Sequence, residues 1–151
     1  MASKFPLQVL LDQARHRMEA GERLLLMIRR KEEAAKLKLE ELHRYRREYH
    51  EQLTGNSRGG MDIHRLRDFH VFLGKLELAI RQQTREVEQQ HSYWQVAHRN
   101  WLELRQKVKS YEVLEKRHIE AEIRSQDRKD QRQSDEFAGR KAAVKQLEGR
   151  R

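Results

Sequence analysis

The apolar residues of this 151-residue chain recur at alternating steps of four and three, the spacing of a coiled-coil seam. A first ladder runs through Leu7, Leu11, Ala14, Met18, Gly21, Leu25, Ile28, Glu32, Ala35, Leu39, Leu42, Arg46, Tyr49 and Leu53. Only Gly21, Glu32 and Arg46 interrupt it. A second ladder runs through Leu66, Phe69, Leu73, Leu76, Ile80, Gln83, Val87, Gln90, Trp94, Ala97, Trp101, Leu104, Val108 and Tyr111, interrupted only by Gln83 and Gln90. Between the ladders lies Thr54-Gly-Asn-Ser-Arg-Gly-Gly60, a cluster of turn formers. The pattern predicts an all-α fold, a long antiparallel two-helix coiled coil with an overhanging C-terminal helix.

The expected organisation is one coiled-coil domain over 1–151. Helix 1 is expected over 6–53, a hairpin loop over 54–60, and helix 2 over 61–138 from near Met61 with Asp62 as N-cap. Beyond about residue 112 helix 2 runs unpaired, and 139–151 is expected to be a frayed basic tail near Gly139 and Gly149.

Folding at the glycine cluster suggests a register in which facing residue numbers sum to 115. Leu42 then meets Leu73, Leu39 meets Leu76, Ile28 meets Val87, and Glu32 meets Gln83. Trp94 falls over Gly21 and Trp101 over Ala14, large against small, which keeps a seam filled without overpacking. One flank becomes polar, with His43 against His70, Lys36 against Glu77 and Arg15 against His98. On the other flank Tyr45 faces Phe72, Lys38 faces Ala79, Lys31 faces Glu86 and Leu24 faces Tyr93. Tyr45, Phe72 and Ala79 therefore add an apolar stripe beside Leu42, Tyr49 and Leu76. Such a stripe either widens the core or marks a docking surface.

Composition narrows the function classes. Thirty-eight per cent of residues are charged, and there is one proline, Pro6. Disorder is the competing reading of such a chain, but a disordered chain would not keep the 4–3 spacing. The net charge is +9, yet 24 acidic residues are interleaved with 33 basic ones. Residues 1–53 carry 12 Lys/Arg against 9 Asp/Glu, and 115–151 carry 11 against 8, so neither end is a polybasic arm. Interleaving suits a solvated helix surface better than a nucleic-acid footprint, which needs basic residues gathered on one face.

Without cysteine there is no disulfide, thiolate nucleophile or cysteine-type zinc site. No segment approaches the roughly 20 apolar residues that span a bilayer, and the first residues lack the apolar core of a secretory signal. A cytoplasmic location is expected. The glycine loop lacks the Gly-Lys-Ser/Thr ending of a phosphate-binding loop. The His43–His70 pair lacks a nearby carboxylate as third metal ligand. No nucleophile, base and orienting group converge, so no catalytic residue, cofactor or metal is expected and the chain is not read as an enzyme.

Four segments carry a resemblance to a known family. They are Tyr45-Arg-Arg-Glu-Tyr49 with Leu53, and Asp68-Phe-His-Val-Phe-Leu-Gly-Lys-Leu-Glu-Leu-Ala-Ile80 after the loop. Trp101 with Leu104 and Tyr111-Glu-Val-Leu-Glu-Lys-Arg117 follow, and then Asp127-Arg-Lys-Asp-Gln-Arg-Gln-Ser-Asp-Glu-Phe-Ala-Gly-Arg140, the most distinctive. Across nearly its whole length the chain resembles the FliJ family of bacterial flagellar type III export proteins. That resemblance implies an antiparallel coil like the central-stalk gamma subunit of rotary ATP synthases. It implies insertion into the pore of the hexameric export ATPase, promoting its assembly and activity. It also implies binding to the cytoplasmic domain of the export-gate membrane protein, coupling the proton motive force to export, and handling of export chaperones. The location implied is cytoplasmic, peripherally associated with the inner-membrane export apparatus.

The family's gate-binding surface maps onto Leu42, Tyr45, Tyr49, Phe72, Leu76 and Ala79, the stripe already marked out by register. It departs at Lys38, where glutamine is usual, and at Gln83, where histidine occurs. Insertion into a pore is expected from the end remote from the loop, which bears Arg15, Arg105, Lys107, Lys109, Lys116 and Arg117. Two alternatives are a coiled-coil scaffold or stalk of another secretion system, and a basic nucleic-acid-binding hairpin.

Overall fold

The structure is a computed structural model. It describes residues 3–60 and 62–150, with the side chains of 56–58 left aside. Two helices account for almost all of it, α1 at Gln8–Arg58 and α2 at Ile63–Gly149, packed against each other as a helical hairpin, with no strand among the described residues. The all-α expectation holds because the 4–3 ladders give each helix one face to bury against the other.

Phe5 and Pro6 lead into α1, where the Gln8 amide donates to the Phe5 carbonyl at 3.1 Å and the Leu11 amide to Leu7 at 2.9 Å. At the start of α2 the Leu66 amide donates to the Asp62 carbonyl at 3.0 Å, which puts Asp62 at the N-cap position. The expected start near Met61 lies outside the described residues. The turn differs from the expected seven-residue loop, because α1 continues to Arg58. Thr54 tolerates the helix by donating its hydroxyl to the His50 carbonyl at 2.9 Å. The reversal is left to the last glycines, and Gly60 takes a φ of 78°, which other residues adopt at a cost.

Contacts divide the chain into two compact units, Met18–Glu103 and Met1–Arg17 with Leu104–Arg151. In the first unit the core comprises Ala35, Leu73, Leu76, Ile80 and Ala97. Glu32 and Gln83 are buried with them, and Gln83 satisfies its amide by donating to the Ala35 carbonyl at 3.0 Å.

The register in this unit is one heptad away from the expected one. Glu32 meets His91 at 3.2 Å, Arg46 meets Glu77 at 4.0 Å, and the Arg29 guanidinium lies 5.8 Å from the Trp94 ring centre. Each pair sums to 123. His91 and Glu77 each sit one residue past a seam position, so facing seam residues sum to 122. Leu42 therefore layers with Ile80, Ile28 with Trp94, and Gly21 with Trp101 rather than Trp94. The expected pairings at 115 move by seven. With α1 running to Arg58 and α2 starting at Ile63, the turn centre lies three to four residues farther along the chain, and the facing sum changes by twice that.

In the second unit Leu11, Ala14 and Val108 are buried. The amino-terminal segment packs along α2: Phe5 lies against His118 with ring centres 5.7 Å apart, His118 Nε2 is 3.0 Å from the Ser3 carbonyl oxygen, and the Ser3 hydroxyl donates to Glu122. That hydroxyl holds the Glu122 carboxyl below its ordinary range. Helix α2 is thus covered as far as residue 122, ten residues beyond the expected limit of pairing. From residue 123 onward its side chains are exposed, yet the helix continues through Gly139 to Gly149 instead of fraying. Gln126 to Asp130 at 3.1 Å, Gln131 to Asp135 at 3.0 Å, and Lys141 over the Phe137 ring at 5.1 Å are pairs four residues apart that support a helix without tertiary cover.

Candidate functional site

The candidate docking stripe lies entirely within the Met18–Glu103 unit. Tyr45 and Phe72, both flanking the seam, remain 47% and 40% exposed. Leu42, Tyr49 and Ala79 are half-buried. Leu76 is only 7% exposed and belongs to the core, so it supports the stripe from beneath.

The heptad shift rearranges contacts within the stripe. Tyr45 comes opposite Ala79 rather than Phe72. Phe72 stacks on Tyr49 instead, with ring centres 4.2 Å apart and planes at 21°. Tyr49 also meets Phe69 at 5.4 Å and 59°, a tilted arrangement that suits the quadrupoles of aromatic rings. The ring of Tyr45 lies 5.7 Å from the Arg44 guanidinium, a cation–π contact. Tyr45 and Tyr49 are one turn apart, so Tyr45, Tyr49, Phe72 and Ala79 occupy one flank. Phe69 was read only as a seam residue and Arg44 was not singled out. Their sequence signal is position one turn or one residue from a stripe aromatic.

Of the two departures from the family surface, Lys38 is exposed, whereas Gln83 is buried and spends its amide on Ala35. The His43–His70 pairing is lost with the register. His43 Nδ1 instead lies 3.0 Å from Arg46 Nη2, and the guanidinium donates to it.

The basic residues expected to contact an ATPase all lie in the other unit. Arg15 is half-buried and pairs with Glu112 at 3.6 Å. Arg105, Lys107, Lys109, Lys116 and Arg117 are exposed. No group of three or more metal-ligating side chains and no helix apolar enough to cross a membrane occurs among the described residues.

A family model described as "Flagellar FliJ protein" matches residues 3–147. The chain belongs to the flagellar FliJ family. It is 31% identical over 145 residues to the flagellar FliJ protein of Escherichia coli K12, covering 96% of this chain and 99% of that protein. It is 30% identical to the flagellar FliJ protein of Salmonella typhi over the same shares. The FliJ match therefore takes in both units, the aromatic stripe and the exposed end of α2.

Proposed function

We propose that this chain is a soluble stalk of the flagellar type III export apparatus, working by binding proteins rather than by catalysis. The Met18–Glu103 unit docks on the cytoplasmic domain of the export-gate membrane protein through Tyr45, Tyr49, Phe72 and Ala79, with Leu42 beside them and Leu76 beneath. The other unit enters the hexameric export ATPase and stimulates it through Arg15, Arg105, Lys107, Lys109, Lys116 and Arg117. Flagellar export chaperones are further partners. No cofactor, metal or nucleic acid takes part, and the chain works in the cytoplasm against the membrane-bound apparatus.

The observation that carries the gate reading is the exposure of Tyr45 and Phe72 on one flank, backed by the Tyr49 stack. Large aromatics left half in water are the residues that anchor interfaces, because their burial on docking removes much apolar area at little cost in side-chain freedom. The ATPase reading has a mechanical basis. One asymmetric rod touching six equivalent subunits cannot contact them all alike, so it favours different states in different subunits.

Titration of the purified gate cytoplasmic domain with the double variant Tyr45→Ala/Phe72→Ala tests the docking. Binding is expected to weaken at least about tenfold while helicity is retained, as for loss of two interface anchors. Undiminished binding would move the gate contact elsewhere on the chain.

A further inference from the structure

The exposed ring of Phe72 rests on two further rings. It stacks on Tyr49 with centres 4.2 Å apart and planes at 21°, and Tyr49 in turn meets Phe69 at 5.4 Å and 59°. The three rings grade from seam to water. Phe69 and Tyr49 are half-buried seam residues, whereas Phe72 flanks the seam and is 40% exposed. All three belong to the Met18–Glu103 unit. With facing seam residues summing to 122, Leu53 layers with Phe69 and Tyr49 with Leu73, so Phe69 lies one layer nearer the turn than Tyr49.

A phenylalanine at a solvent-facing flank has several staggered rotamers open to it. The stack on Tyr49 selects one of them. Tyr49 is fixed only while the space beside it is filled, because a packed side chain next to a void relaxes towards it. Phe69 fills that space, in the tilted geometry that sets the positive edge of one ring against the negative face of another. Leucine at position 69 would keep an apolar seam residue but remove the ring, and so loosen the surface on which Phe72 rests. A partner would then have to order Phe72 on binding, a cost that the intact cluster has already met.

We infer that Phe69 is a positioning residue for the docking flank: it holds Tyr49, and through Tyr49 it fixes the exposed Phe72 ring in the orientation the gate protein meets. This rests on the docking reading proposed above. Phe69 acts through Phe72 rather than as a contact, so its effect on binding exists only while Phe72 is present.

The test joins two readouts on the full chain, the ring-proton shifts of Phe72 by nuclear magnetic resonance and titration with the purified gate cytoplasmic domain. Stacking on Tyr49 moves the Phe72 ring protons upfield in the free chain. Phe69→Leu should largely remove that displacement and weaken gate binding about fivefold, the cost of immobilising one side chain. Phe69→Tyr, which keeps the ring, should rescue both. In the Phe72→Ala background Phe69→Leu should weaken binding no further. Val87→Ala, at another half-buried seam position, should lower the melting temperature without weakening gate binding. Circular dichroism checks that each variant is folded at the temperature of titration. Unchanged ring shifts in Phe69→Leu would overturn the positioning role whatever the binding shows. Undiminished binding by Phe69→Leu, the same loss in Phe69→Tyr, or an equal loss with and without Phe72 would overturn it too. Absence of binding by the unaltered chain would instead overturn the docking reading, and the ring shifts decide on Phe69 separately.

Discussion

His91 reaches across the coil to Glu32, its Nδ1 lying 3.2 Å from the carboxylate, while Lys36 approaches the same oxygen to 3.3 Å. A seam position that would ordinarily be apolar is thus occupied by a buried carboxylate with two partners. Burial alone pushes its pKa up; hydrogen bonds and charge attraction from Lys36 and His91 outweigh that, and the net shift is downward from 4.5. A carboxyl held low only in the folded chain adds stability above its unfolded value. That contribution is lost as pH falls through the ordinary carboxylate range towards the folded pKa.

Thermal melts from neutral to acid pH should therefore show the wild-type melting temperature dropping more steeply below pH 4.5 than that of Glu32→Gln. Glutamine keeps the shape without the titration. Equal slopes would mean that the carboxylate gains nothing from Lys36 and His91.

The heptad register predicts which positions lie face to face. Since the chain has no cysteine, paired substitutions report it without background. Leu25→Cys with Ala97→Cys should cross-link readily with a short thiol reagent, and Leu25→Cys with Gln90→Cys should not. Preference for the second pair would restore the register that sums to 115.

Those two registers show what a sequence of this kind reveals. Ladders such as Leu39–Leu42 and Leu73–Leu76 announce two amphipathic helices, and Gly60 announces a reversal. A slip by seven residues, however, puts ladder against ladder again, so periodicity cannot choose between them. The choice rests on whether Thr54 and Gly55 continue the helix; they do, with the Thr54 hydroxyl donating to the His50 carbonyl. The exposed aromatic flank was legible because flanking positions keep their flank under a heptad slip. Its internal contacts were not, so Tyr49 rather than Tyr45 is the residue found against Phe72. The burial of Leu76 follows from its seam position alone. Persistence of α2 past Gly139 was hidden by the lack of a partner ladder, since its support comes from pairs on its own surface such as Lys141 and Phe137.

The Tyr49–Phe72 stack should be measurable as coupling. A double-mutant cycle with Tyr49→Leu and Phe72→Leu, read by urea unfolding, is expected to give about 0.5–1.5 kcal/mol of interaction beyond the area terms. Additive effects within error would show that the rings merely lie side by side.

The claim that the chain is a stalk for the export ATPase is tested most directly by ATP turnover of the purified cognate hexamer. Intact protein should raise turnover. The fourfold reversal Lys107→Glu, Lys109→Glu, Lys116→Glu and Arg117→Glu changes only exposed side chains of α2. It should abolish that stimulation while leaving helicity and gate binding through Tyr45 and Phe72 as they were. Full stimulation by the reversed protein would contradict the assignment of this end to the ATPase, and no stimulation by the intact protein would contradict the stalk itself.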